Sequence, residues 1–219
     1  MCGRFTLHTS PEILREHFGV AGAPEVAASY NIAPSQRVPA VRVAGGRREL
    51  VLLHWGLIPS WAKNAKTAYR MINARAETLA DKPAYRGAFR QRRCLIPADG
   101  FYEWRQTGSG KQPYHIRMKD EGVFAIAGLW ERWEGDDESI ESCSIIVTQA
   151  NDTIRPVHDR MPVIVAPGDY GQWLDPAIPG GEKITTLLRP YPAGAMVVYP
   201  VSRRVNSPAN NDAQCIAPV

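Results

Sequence analysis

Residues 93–104 read RCLIPADGFYEW, and this stretch shows the pattern that the rest of the chain repeats. Two short runs rich in aliphatic and aromatic residues, Cys94–Ile96 and Phe101–Trp104, are separated by Pro97, Asp99 and Gly100. Runs of this composition favour strands, whereas Pro, Asp and Gly favour the turns between strands. The stretch therefore predicts two short strands joined by a tight connection.

Similar short runs, separated mostly by Gly, Pro or Asp, occur on both sides of this stretch. The further predicted strands are Val38–Val43, Leu50–Trp55, Tyr114–Met118, Val123–Trp130, Ser144–Thr148, Val163–Val165 and Met196–Tyr199. Gly45 and Gly46 predict a hairpin turn before Arg47.

Helix signals are fewer than strand signals. Ser10 as a cap, Pro11 in the first turn and Gly19 as a terminator predict one early helix, and short helices are expected near Asp81–Phe89, Pro167–Leu174 and Glu182–Leu188. The sequence therefore predicts an α+β fold in a single domain over residues 1–219. Its main element is antiparallel β-sheet curled toward a barrel, with short flanking helices.

Composition favours a globular protein of the cytoplasm. Hydrophobic residues make up 44% of the 219 residues and charged residues 22%, and no apolar run approaches the ~20 residues of a membrane span. Arg4, His8 and Glu12 interrupt any signal-peptide core. The four cysteines are widely spaced without a Cys-x-x-Cys pair, which argues against a zinc site or a disulfide framework. We expect a cytoplasmic monomer without membrane contact, metal or cofactor.

Positive charge is concentrated in one segment. Between Lys63 and Arg93 the chain carries nine basic residues, opposed only by Glu77 and Asp81. A segment of this density is typical of a polyanion-binding surface, and it is equally typical of a solvated loop and helix face. The acidic stretch from Glu131 to Glu141 predicts a solvated hairpin tip.

Cys2 directly follows the initiator Met1, and removal of that Met would give one residue both a free α-amine and a thiol. Their reference pKa values, about 7.7–8.0 for the amine and about 8.5 for the thiol, leave both partly nucleophilic at neutral pH. Such a residue can attack an acyl group through sulfur. It can also capture an aldehyde, because the amine forms an imine and the thiol then closes a thiazolidine ring.

Four further polar or aromatic features are candidates for chemistry. Asn73 and Arg75 share a face if their segment is extended, and Glu103 lies between two aromatic residues that would raise its pKa. His158 is a candidate acid or base, and Trp61 lies beside the basic segment, where bases can stack. Each feature also has a structural interpretation: an internal ion pair, a solvent-facing strand residue, a structural histidine and a core tryptophan.

Seven sequence blocks in order resemble one known family, the SOS response-associated peptidases, also called the SRAP domain. The blocks are MCGRF at 1–5, YNIAP at 30–34, WGLIP at 55–59, NARAET at 73–78, RCLIPADGFYEW at 93–104, HDRMP at 158–162 and PVS at 200–202. They cover nearly the whole chain. One block differs, because some members carry two adjacent Trp where this chain has Trp61-Ala62, followed by the insert Lys63–Lys66.

The resemblance implies a DNA-damage protein of the SOS response that acts on abasic sites in single-stranded DNA. After removal of Met1, Cys2 would trap the sugar aldehyde as a thiazolidine DNA–protein crosslink, with weak lyase activity as a side reaction. Asn73 would position the lesion, Glu103 would contact the amine and His158 would assist opening of the sugar. The residues that match DNA contacts are Arg4, Phe5, Asn31, Pro34, Trp61, Arg75, Thr148 and Arg160.

Three other functions remain open from the sequence. A thiol peptidase, acting on its own N-terminus or on other substrates, would use Cys2 with His158 and Glu103. An N-terminal nucleophile amidotransferase would need a partner synthase domain, for which the chain has no room. A non-enzymatic single-stranded DNA binder would make Cys2 incidental. When it acts on DNA, the cytoplasmic protein is expected to associate with the nucleoid.

Overall fold

The computed structural model describes residues 2–22, 24–65, 70–108, 110–136 and 138–219. The strands are β1 Phe5–Leu7, β2 Ser29–Ile32, β3 Arg37–Ala44, β4 Arg47–Trp55, β5 Asn73–Arg75, β6 Arg93–Ala98, β7 Gly100–Thr107, β8 Gly110–Met118, β9 Phe124–Glu134, β10 Ser139–Gln149, β11 Arg160–Pro162, β12 Ile164–Val165 and β13 Met196–Pro200. The α-helices are α1 Pro11–Phe18, α2 Pro83–Gln91, α3 Tyr170–Leu174 and α4 Glu182–Thr185. None of the helices among the described residues has the length and apolar character needed to cross a bilayer.

Five strands close into a barrel. The ring runs β10-β4-β3-β6-β9 and returns to β10, because β9 pairs with both β6 and β10. Four of its five contacts are antiparallel, and the β4–β10 contact is parallel. The predicted α+β fold with a sheet curled toward a barrel is confirmed, as are the Gly45-Gly46 hairpin and the helix from Pro11 to Phe18 with its Ser10 cap.

A second sheet of five strands, in the order β13-β8-β7-β1-β2, brings the start of the chain into the middle of the fold. Strand β1 lies between β2 and β7 and pairs antiparallel with both. All three of its residues are buried, and the Phe5 ring meets Trp55 edge-on with centroids 5.2 Å apart. Residues near Cys2 are therefore fixed by a central strand.

Two arginines of the basic segment are structural, so the expectation of a continuous polyanion-binding face is wrong for them. Arg93 is 3% exposed, and its guanidinium donates to five backbone carbonyl oxygens, at 2.6–2.9 Å. These belong to Phe89, Arg90, Trp173, Asp175 and Ile178. Arg92 pairs with Glu131 at 2.6 Å. The two side chains join the C-terminal end of α2 to α3 and to the barrel.

Gly100, at the start of β7, has no room for a side chain because the neighbouring strand β8 lies close to it. A methyl group there would overlap Nε2 of the buried His115 and lie 2.9 Å from the carbonyl oxygen of Ile116. Burial lowers the pKa of His115 to about 3, so this ring is neutral and packed rather than solvated.

We expect Gly100→Ala to destabilise the protein by about 1–3 kcal/mol, the usual cost of inserting a methyl group into a packed interior. The measurement is urea unfolding. Gly168→Ala is the matched control, because a methyl group at that position meets nothing within 4 Å. Equal free energies of unfolding for the two variants would contradict this assignment.

Candidate active site at the start of the chain

The N-terminal segment is held on two sides. The backbone N–H of Tyr102 in β7 donates to the Arg4 carbonyl at 3.0 Å, and that of Asp99 donates to Thr6 at 2.8 Å. The Asn73 side-chain amide donates to the Cys2 carbonyl at 2.8 Å. These bonds fix the backbone of Cys2 between β5 and β7. Met1 lies outside the described residues.

The Cys2 thiol is fully buried, as are the other three cysteines, all of which are free thiols. Its Sγ lies 3.9 Å from the Arg4 carbonyl oxygen, a weak hydrogen bond. Burial raises the pKa of this thiol far above its ordinary value, and the nearby Glu103 carboxylate raises it further. The thiol of the chain that carries Met1 is therefore protonated at neutral pH, and the expectation of a partly ionised thiol after loss of Met1 stays a prediction.

Asn73 connects this site to helix α2. It lies on β5, which pairs in parallel with β10, and its carbonyl accepts a hydrogen bond from the Tyr85 hydroxyl at 3.1 Å. Its side-chain Oδ1 is buried and has no hydrogen-bond partner among the described residues. The amide group therefore has one end bound to Cys2 and one buried acceptor that no described residue satisfies.

Glu103 lies on β7 and is 1% exposed. Burial raises its pKa to about 7. The predicted poorly hydrated position between Tyr102 and Trp104 is confirmed, and the alternative of a solvent-facing strand residue is wrong. A carboxyl group with this pKa can both give and take a proton near neutrality.

His158 faces Glu103 across the site, with Nε2 3.7 Å from Glu103 Oε2. Its Nδ1 accepts a hydrogen bond from the Arg160 backbone N–H at 3.0 Å and lies 2.9 Å from Asp159 Oδ1. Burial lowers the pKa of His158, which favours the neutral ring. Nε2 is the ring nitrogen directed toward Glu103.

Glu103 and His158 open into a cleft of about 440 Å³. It is lined by Gly3, Arg4, Glu103, Trp104, Lys111, His158 and Asn206. Lys111 and Asn206 were not among the residues expected from the sequence. Lys111 comes to the cleft because β8 pairs with β7, and Asn206 because it contacts Trp104. Trp104 Nε1 donates to Asn206 Oδ1 at 2.8 Å, which fixes one wall.

Arg4 and Asn31 form a network that supports this wall. Arg4 donates to Asn31 Oδ1 at 2.7 Å and to the Val205 carbonyl at 2.8 Å. Asn31 is 1% exposed and donates to three carbonyls of the C-terminal segment, those of Val205, Ser207 and Asn210. Arg4 lines the cleft, whereas the Asn31 side chain is enclosed and acts through Arg4.

The remaining expected DNA contacts differ in accessibility. Phe5 is fully buried and Thr148, opposite Met161, is 5% exposed, so neither side chain presents a surface to a ligand. Pro34 is half-buried, and Arg160 is half-buried and pairs with Glu77 at 2.5 Å. Arg75 is exposed.

Trp61 is 67% exposed, so the core interpretation of this ring is wrong. Trp133 Nε1 donates to the Ala62 carbonyl at 2.7 Å and so holds the segment that carries Trp61. Of the insert after Trp61, Lys66 lies outside the described residues. In the part of the chain that the structure describes, no group of three or more His, Cys, Asp or Glu side chains is arranged to hold a metal ion.

Comparison with known proteins assigns the family. The model of the SOS response associated peptidase (SRAP) family matches residues 1–208. The chain belongs to the SRAP family. It is 43% identical to abasic site processing protein YoaM of Bacillus subtilis, over 99% of this chain and 97% of that protein.

Two proteins of lower sequence identity also match this SRAP chain over its full length. Abasic site processing protein YedK of Escherichia coli is 30% identical over the full length of both chains. A crystal structure of a protein from Bacteroides thetaiotaomicron superposes over all of both chains with a TM-score of 0.89 at 28% identity. The family resemblance expected from the seven blocks is confirmed.

We expect Glu103→Gln to stabilise the SRAP fold at pH 8 by about 3 kcal/mol more than at pH 4. The folded pKa of about 7 lies above the ordinary value of 4.5, so stability present in acid is lost as the pH rises through 7. The measurement is urea unfolding of wild type and variant at both pH values.

The exposed Glu25→Gln is the control for removing one carboxylate. The same pH dependence in both variants would contradict a raised pKa at Glu103.

Proposed function

We propose that, after loss of Met1, this protein acts on abasic sites in single-stranded DNA by forming a thiazolidine crosslink through Cys2. The observation that carries the proposal is the placement of Cys2, held by Asn73 beside a carboxyl group whose pKa is about 7. The relatives named abasic site processing proteins support the same substrate.

Accessible side chains provide the binding surface for the strand. Trp61 offers an exposed ring for stacking on a base, and Arg75 offers an exposed guanidinium for a phosphate. The cleft admits an unpaired sugar, and Lys111 at its edge adds positive charge. Asn73 Oδ1 is available to accept a hydrogen bond from a sugar hydroxyl.

The first chemical task is to open the sugar, which exists mainly as a closed hemiacetal. Opening moves the proton of the anomeric hydroxyl to the ring oxygen. Glu103 as a carboxylic acid gives a proton to the ring oxygen and then accepts the hydroxyl proton. The Nε2–H of His158 stabilises the carboxylate between the two transfers. General acid–base assistance of this kind contributes about 10²–10⁴-fold.

The amine of Cys2 then attacks the aldehyde carbon. A carbon–nitrogen bond forms as one amine proton moves to the carbonyl oxygen, and the resulting carbinolamine hydroxyl leaves as water with a proton from Glu103, which leaves a protonated imine. Next the thiol gives its proton to the Glu103 carboxylate and sulfur bonds to the imine carbon. The C=N electron pair moves to nitrogen, which keeps its one proton. One water is released overall, and no oxidant or reductant is needed.

Burial of the thiol explains the order of these steps. Provided that the thiol stays buried after loss of Met1, it remains protonated and is a poor nucleophile toward the aldehyde, so the amine reacts first. The thiol then needs to react only with an imine held at the same residue, where proximity favours ring closure. The imine is also the intermediate of β-elimination, so weak strand cleavage is part of the proposal, as is a role in the SOS response.

A thiol peptidase is the second candidate, supported by the description of the family model. Cysteine peptidases depend on a thiolate stabilised by a neighbouring cation. Here burial and Glu103 both disfavour the thiolate. We therefore favour aldehyde capture.

The test is to incubate Met1-free protein with a single-stranded oligonucleotide containing one abasic site and to weigh the product. We expect wild type to give the sum of the two masses less one water, without a reducing agent. Cys2→Ala keeps an α-amine and lacks the thiol, so its imine should survive only after borohydride reduction. Cys2→Ser, of nearly the same size, is the matched control for sulfur.

A stable adduct of Cys2→Ala without borohydride would remove the thiol from the mechanism. Peptide cleavage by wild type without any DNA adduct would instead support the peptidase.

A further inference from the structure

We propose that Lys82, Arg86 and Arg90, here called the α2 stripe, bind the phosphate backbone of the strand on one side of the lesion. This inference rests on the proposed function, because it extends the path of the same strand beyond the cleft. Binding to the α2 stripe gives the protein a preference for lesions that have several nucleotides on that side.

The α2 stripe is a row of unneutralised positive charge. Its members are four residues apart, so they follow one another along one side of the helix and span about 12 Å. All three are exposed, and α2 itself contains no acidic residue. Among the described residues, none of the three side chains has a carboxylate within ion-pair distance.

Stability of the helix does not account for this row. Like charges four residues apart destabilise a helix by about 0.2–0.5 kcal/mol per pair. Lys82 occupies the N-cap position, where a cation opposes the helix dipole, and it makes no side-chain capping bond. Arg92 and Arg93, by contrast, have assigned structural partners. Arg90, in the last turn, is favoured by the helix dipole, whereas Lys82 and the like-charge pairs are a cost to the free protein that a polyanion would offset.

The α2 stripe is continuous with the candidate active site. Helix α2 contacts Asn73 directly through the Tyr85 hydroxyl. Tight backbone bonds join Lys82 to Thr78 at 3.0 Å and Thr78 to Arg75 at 3.1 Å. A strand whose phosphate meets the exposed Arg75 is therefore two turns of chain away from Lys82.

The experiment measures binding of Met1-free protein to single-stranded oligonucleotides that carry a non-reacting abasic analogue. The analogue is placed at the 5′ end in one series and at the 3′ end in another, and affinity is followed against salt concentration. We expect added nucleotides to raise affinity on one side only. The triple variant K82Q/R86Q/R90Q should abolish that gain and reduce the slope of log K against log salt by about 2, at about 0.7 per phosphate contact.

The matched control is R47Q/K119Q/R189Q, which removes the same charge from exposed positions outside α2. Equal slopes for wild type and the α2 variant, or an equal loss in both triple variants, would overturn the α2 stripe. Those results leave the proposed function standing if wild type still crosslinks to a reactive abasic oligonucleotide. Absence of both crosslink and binding in wild type would overturn the two proposals together.

Discussion

The hydrogen bond from the Asn73 amide to the Cys2 carbonyl, together with the backbone bond from Tyr102 to Arg4, is the constraint on which the site depends. The first residues of a chain are usually poorly ordered. Here β1 is a central strand between β2 and β7, so residue 2 has a fixed position beside Glu103. The fold thereby gives the start of the chain a fixed position in the site.

Burial of the site has two opposite consequences that suit the proposed chemistry. It holds the pKa of Glu103 at about 7, where one carboxyl group can serve as acid and as base. It also suppresses ionisation of the Cys2 thiol. In the proposed mechanism, this keeps the thiol from reacting until the imine has formed. Both effects disfavour the ionised forms of the two side chains in the folded protein.

The sequence predicts the long strands well because their composition alone favours β-structure. It does not reveal β1 and β5, which have three residues each and exist because neighbouring strands provide their hydrogen bonds. The raised pKa of Glu103 was predicted from its aromatic neighbours, whereas its cause in the structure is burial of the side chain. The supporting role of Asn31 could not be predicted from the sequence. Its place in a sequence block does not distinguish a residue that lines the cleft from one that holds a lining residue in place. Lys111 reaches the cleft through strand pairing, which no local pattern records.

The central claim is that the α-amine of Cys2 is the group that first reacts with the lesion. The most direct test compares protein from which Met1 has been removed with protein that retains it, each verified by intact mass, in the rate of stable adduct formation with abasic single-stranded DNA. The account predicts adduct formation only without Met1, because Met1 converts the amine to an amide. Equal rates for the two forms would contradict it.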